Sequence, residues 1–169
     1  AVVRDLRDAG ATIAGAIHLW STTSGHDTPG NGAELALSYH SLIGLAAALE
    51  PSPEAPVPVI VATTGAESVL DEQVQVPGHA MVRGPVLSLP SEVPGLRMRS
   101  VDVELAGGED AVEIAAGALV EEAANRDGEN MVARRAGRRW VRRFERLTLP
   151  ASSAGKLPLK PRGVYLITG

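Results

Sequence analysis

The chain has no cysteine. That excludes disulfides, thiolate nucleophiles and every metal site built on sulfur. Aromatic side chains are scarce, with two Trp, two Tyr and one Phe, so a core has to be assembled from Leu, Val, Ile and Ala. Long apolar runs are missing too. The longest is roughly eight residues, against the 20 or so of a membrane-spanning helix. Basic charge is not in excess: 16 Lys and Arg stand against 20 Asp and Glu, a net charge of −4, whereas nucleic-acid binders are usually basic. The opening Ala-Val-Val-Arg-Asp-Leu-Arg-Asp is too charged for a signal peptide. What the chain has in abundance is turn formers, 18 Gly and 12 Pro. With 44% apolar and 21% charged residues, 169 residues suffice for one globular domain. These features predict a cytoplasmic α/β protein with neither a nucleic-acid nor a membrane partner.

Hydrophobic periodicity gives the order of elements. Ala1 to Asp8 reads as a helix stopped by Gly10, and Ile13 to Trp20 as a strand buried on both faces. A polar, glycine-rich loop follows over Ser21 to Gly32, then an amphipathic helix over Ala33 to Leu49 and a proline-rich connector to Pro58. Val59 to Thr63 is a second buried strand. Glu67 to Val76 alternates weakly, which predicts a small hairpin. Gly78 to Leu89 reads as a helix ended by Pro90 and Pro94, and Leu96 to Val103 as a strand. Asp110 to Asn125 is a helix with an acidic N-cap. Glu129 to Leu147 reads as two strands turning at Ala136-Gly137, with Trp140 and Phe144 on one face between arginines. After a connector, Val164 to Ile167 is a last buried strand with no helix after it. The alternation predicts an α/β fold: a mostly parallel sheet with helices on both faces and a C-terminal β-hairpin.

Familiar chemistry is hard to find in this order. Gly25-His-Asp-Thr-Pro-Gly30 has the two glycines of a phosphate-binding loop, but Asn31-Gly32 replaces the Lys and the Ser or Thr that hold phosphate and magnesium. Gly30-Asn-Gly32 opens like a dinucleotide fingerprint, yet Leu35 stands where a third glycine belongs. His26, Asp27 and His40 lack the i,i+4 spacing of a zinc helix, and His18 sits in an apolar strand, so no metal site is expected. There is no Gly-x-Ser-x-Gly elbow. Neither tyrosine precedes a lysine by four residues, since Tyr39 leads to Ile43 and Tyr165 to Gly169. No catalytic residues are expected. The strongest charge feature lies between Arg126 and Arg146, where eight arginines meet three acids. Aromatics within it could stack nucleic acid, but the negative total charge favours a hairpin whose arginines pair with acidic neighbours or dock an acidic domain.

One set of segments is similar to a known family. His18-Leu-Trp20-Ser21, Ser41-Leu42, His79-Ala-Met-Val-Arg-Gly-Pro-Val, Glu92-Val-Pro-Gly-Leu-Arg-Met-Arg-Ser-Val-Asp102, Gly137-Arg-Arg-Trp140-Val-Arg-Arg and Gly163-Val-Tyr-Leu-Ile-Thr-Gly169 together resemble the ketoreductase region of type I polyketide synthases. The resemblance runs over nearly the whole chain. It implies a structural, non-catalytic subdomain with a truncated Rossmann-like, three-layer fold over residues 1–149, a linker over 150–162, and the first strand of the catalytic subdomain over 163–169. Thr168 and Gly169 would open the glycine-rich loop that binds NADPH in the complete domain. The whole domain would reduce a β-ketoacyl chain, carried on the phosphopantetheine of an acyl carrier protein, to the β-hydroxyacyl product. The partners implied are the catalytic ketoreductase subdomain, the acyl carrier protein and other synthase domains. The alternative is an inactive pseudo-ketoreductase kept as a spacer or interaction module.

Overall fold

The computed structural model describes residues 2–22, 32, 35–105, 108, 110–148 and 159–168. Helix α1 (Val2–Asp8) ends as its sequence predicts. Gly10 takes a positive φ of 79°, and the amides of Gly10 and Ala11 turn back to the carbonyls of Arg7 and Leu6 at 2.8 and 2.9 Å.

Strand β1 (Ala16–Ser21) leads to a π-helical turn (Ala36–His40) that runs straight into α2 (Ser41–Leu49). The single helix expected over this stretch therefore has two geometries. Strand β2 (Val57–Thr63) is fully packed, and it is followed by a 3₁₀ turn (Pro77–Val82) and α3 (Arg83–Glu92). Pro90 lies inside α3 rather than ending it, because it falls in the last turn, where the helix has little further to run. Strand β3 (Leu96–Asp102), α4 (Ala111–Ala124), β4 (Met131–Arg135) and β5 (Arg138–Val141) complete the fold. Asp110 precedes α4 but makes no capping hydrogen bond from its side chain, so the acidic cap read from the sequence is not formed.

The five strands lie in chain order, β1-β2-β3-β4-β5. The first four are parallel and β5 returns antiparallel to β4. The reversal is a two-residue turn in which Ala136 and Gly137 both have positive φ, 49° and 71°, the geometry that suits the twist of a hairpin. Val59, Val61, Leu96 and Met98 pack on one face against Leu42, Ala46 and Leu49 of α2 and Val86 and Leu89 of α3. Ile60, Ala62, Val101 and Val103 pack on the other face against Ala115 and Leu119 of α4. The result is a three-layer α/β fold of Rossmann-like character. Because the chain changes face after β3 while the strand order keeps its direction, the third crossover has the opposite hand to the first two, an uncommon arrangement.

Three sequence expectations change. Strand β1 is not buried on both faces: Ile17 and Leu19 stand 46% and 51% exposed on the α4 side, where no described helix covers them. Glu67 to Val76 forms no hairpin and no strand. Val164, Leu166 and Ile167 are exposed at 98%, 90% and 92%, and pair with no strand among the described residues.

Candidate functional site

Ligands of doubly wound folds bind beyond the carboxyl ends of parallel strands. Here those ends carry Ser21, Thr63, Asp102 and Arg135. Asp102 is fully buried and organises the place. Its Oδ1 accepts from the Thr63 hydroxyl at 2.6 Å and from the Ala66 amide at 3.1 Å. Its Oδ2 accepts from the Glu67 amide at 3.2 Å and from the Arg135 guanidinium. Buried polar atoms need partners of this kind, and both carboxylate oxygens have two.

Arg135 extends the same knot. Its Nη1 donates to the Asp102 carbonyl at 3.0 Å, its Nη2 to the Glu67 carbonyl at 3.1 Å, and its Nε to Glu72 Oε1 at 3.0 Å. Partial burial works against ionisation of Glu72, but the amides of Leu70, Glu72 and Val69 together with Arg135 outweigh it and hold the carboxyl at about 2. Arg83 and Arg142 clamp the other carboxylate of the loop, Glu67, at 2.9 Å each. His79 closes the far side with its Nδ1 2.7 Å from the Thr64 carbonyl. The segment expected to be a hairpin is thus a plug, pinned over the ends of β2 and β3 by three arginines and three carboxylates.

This arrangement does not fit a dinucleotide at those two strands. A pyrophosphate would meet the buried Asp102 and the carboxylate of Glu67, and the loop backbone already fills the space above them.

A second charged knot lies on the α4 face. Glu122, whose side chain is fully buried, binds Arg99 at 3.0 Å, Arg134 at 2.6 Å and Arg139 at 2.7 Å. Asp127 binds Arg99 at 2.6 Å and Arg139 at 2.7 Å. Burial raises the Glu122 pKa, but hydrogen bonds from Arg139 and Arg134 and their charges reverse this and lower it. Arg134, Arg135 and Arg139 of the arginine cluster are therefore held by acids inside the fold, while Arg126, Arg138, Arg142, Arg143 and Arg146 are exposed. Phe144 lies beyond the end of β5 and is 93% exposed, whereas Trp140 is half-buried and its indole N–H has no partner among the described residues.

Among the described residues His18 and Ser41 form a histidine–serine pair. His18 Nε2 lies 2.8 Å from Ser41 Oγ, and the Ser41 hydroxyl donates to the Leu37 carbonyl. With its proton committed there, Ser41 accepts from Nε2–H, which fixes the tautomer and leaves a buried Nδ1 without a partner among the described residues. Burial pushes the His18 pKa down.

His40 is exposed at the end of the π-helical turn, while His26 and Asp27 lie outside the described residues. Among the described residues no three His, Cys, Asp or Glu side chains gather as metal ligands. Among them, too, no helix is long and apolar enough to cross a membrane. Thr168 is exposed, and Gly169 lies outside the described residues. The sequence reading missed Asp102, Glu122 and the loop carboxylates. The signal that could have found them was the adjacent Arg134-Arg135 pair on a strand, since neighbours there face opposite sides and each needs its own acid.

No protein-family model matches the chain. No curated protein matches it. A solved structure does, described as the "adenylation, ketoreductase, and pseudo Asub multidomain structure of a keto acid-selecting NRPS module". The match has a TM-score of 0.68 at 21% identity and covers 82% of this chain. The chain spans only 12% of the length of that structure. At this identity the likeness is one of fold: the α/β architecture described above recurs within a multidomain synthase module.

Proposed function

We propose that this chain is the structural half of a ketoreductase in a multidomain synthase. The observation that carries the reading is the plug over β2 and β3. A Rossmann-like sheet whose strand ends are filled by its own loop, fastened through Asp102 and Arg135, has the shell of a nucleotide fold without room for the nucleotide there. Its work is then support. The fold likeness to part of a synthase module containing a ketoreductase agrees with this. So do the segments around His18, Ser41, Trp140 and Val164 that resemble polyketide synthase ketoreductases.

In this reading residues 163–169 enter a following catalytic subdomain as its first strand. Thr168 and Gly169 begin its glycine-rich loop, and NADPH is bound by that complete subdomain. NADPH supplies the hydride for reducing a β-ketoacyl group presented on the phosphopantetheine of an acyl carrier protein. The residues of this chain take no part in the transfer.

Calorimetric titration of the 169-residue chain with NADPH tests the division of labour. The expected result is no saturable heat. Saturable micromolar binding would overturn the reading. The companion assay uses a longer chain carrying the domain after Gly169, with a β-ketoacyl thioester and NADPH. Turnover supports a working ketoreductase, and its absence favours the spacer.

A further inference from the structure

We propose that the cavity at the amino ends of β2 and β3 binds a small acid whose terminal carboxylate stands next to an amide: an N-acylated amino acid, or the last residue of a peptide chain. The cavity lies at the edge of the sheet opposite the plugged strand ends, and it is independent of the reading above.

Its volume is about 360 Å³, which falls in the range of small-molecule sites. It exists because β3 begins before its neighbour. Strand β3 pairs with β2 from Leu96 onward but with β4 only from Ser100. Beside the early stretch of β3 runs the loop 125–130 instead of a strand. Alternate residues of a strand bond to opposite neighbours. The Gly95 carbonyl accepts from Val57 and the Val103 amide donates to Thr63, so the odd-numbered residues of β3 face β2. The Ser100 amide donates the other way, to the Asn130 carbonyl at 2.9 Å. Met98 therefore turns its N–H and C=O to the β4 side, where the loop makes no backbone hydrogen bond with either. A peptide-like amide is the group that matches such an edge.

The charge of the cavity is positive. Arg97 and Arg126 line it, both are exposed, and neither makes an ion pair or a side-chain hydrogen bond among the described residues. The two acids on the wall are already engaged. Glu122 binds three arginines, and Glu129 lies 3.9 Å from Arg143. The carbonyl end of α4 would repel an anion, but Arg99 covers it by donating to the carbonyls of Glu122 at 2.9 Å and Asn125 at 3.3 Å. Guanidinium forks match the planar oxygens of a carboxylate. Pro58, Ile60 and Ala123 add apolar wall. A free strand edge, two uncommitted cations and an apolar wall together call for an amide, a carboxylate and an apolar side chain in one ligand.

Calorimetric titration of the 169-residue chain with N-acetyl-leucine, N-acetyl-leucinamide and inorganic phosphate tests this. The expected result is saturable binding of the acid, with the neutral amide and phosphate each at least tenfold weaker. Arg97→Gln and Arg126→Gln should each weaken the acid at least fivefold and leave the melting temperature unchanged, because both side chains are exposed. In amide NMR spectra the acid should shift Met98 and Ala123. A hexapeptide ending in leucine separates the two sources. If it binds as the acid does, the site takes a chain terminus; if only N-acetyl-leucine binds, the site takes the free acid. No saturable binding of the acid would overturn the proposal. So would equal affinity for acid and amide, phosphate binding as tightly as the acid, or an affinity that neither substitution moves.

Discussion

Arg134 and Arg135 are neighbours in β4, yet they end on opposite faces of the sheet. Arg134 meets Glu122 at 2.6 Å beneath α4, and Arg135 meets Asp102 beneath the loop that plugs the strand ends. Alternation along a strand converts one dipeptide into two anchors, because successive side chains point to opposite sides. Arg139 repeats the pattern on the α4 side and Arg142 on the loop side. The hairpin β4–β5 is therefore a clip that holds a helix on one face and a loop on the other.

Glu122→Ala should cost about 3–5 kcal/mol in urea unfolding. The substitution strands Arg99, Arg134 and Arg139 around a site with no other buried carboxylate, leaving Asp127 and Glu121 at its margin. Glu122→Gln keeps the hydrogen-bond acceptor and should cost less. A loss below about 1 kcal/mol for the alanine variant would mean that the arginines find water instead, and that the knot is a surface feature.

Much of this fold could be read from the sequence, and the misreadings share a cause. Val59 to Thr63 is correct as a strand because both of its faces are apolar, and the strand from Leu96 is correct because Leu96 and Met98 alternate with Arg97 and Arg99, patterns that the runs themselves carry. Glu67 to Val76 was misread because weak alternation cannot distinguish a strand from a loop whose amides and carboxylates are held by residues far along the chain. Strand β1 looks as apolar as β2, but its cover on the α4 side depends on where α4 lies, which no local pattern records. The candidate site was least legible. Asp102 and Arg135 are 33 residues apart and meet only through the register of β3 and β4.

Stability should fall in two separate ranges as the pH is lowered. The His18 pKa is depressed by burial below its ordinary 6.5, so the unfolded chain takes up the proton first. That contribution is complete above about pH 6.5 and is lost as the pH drops toward the folded value. Protonated His18 would carry an Nδ1–H with no acceptor among the described residues. The carboxyls of Glu122 and Glu72 are held below their ordinary 4.5, Glu72 at about 2, so their contribution is complete above 4.5 and declines beneath it. Melting temperatures measured from pH 8 to 3 should show both declines. His18→Gln should flatten the upper one and leave the lower one. If the upper decline persists in that variant, another group is responsible.

Two glycines should respond to alanine in opposite directions. Gly95 has a φ of 85°, and a Cβ there would sit 2.1 Å from the Ser52 carbonyl oxygen. The neighbouring backbone cannot yield easily, because the Gly95 carbonyl accepts from the Val57 amide at 3.0 Å and so sets the start of β2 against β3. Gly95→Ala should therefore cost roughly 2–4 kcal/mol, the sum of a left-handed backbone and a forced shift. Gly44 lies within α2, and a Cβ there meets nothing within 4 Å. Gly44→Ala should gain about 0.5–1 kcal/mol by restricting the unfolded chain. For a chain of this size each kcal/mol moves the melting temperature by roughly 2–4 °C, so a thermal scan separates the two variants in sign. A neutral Gly95→Ala would show that the turn before β3 is free to rearrange, and that the register of β2 against β3 is set by the strands alone.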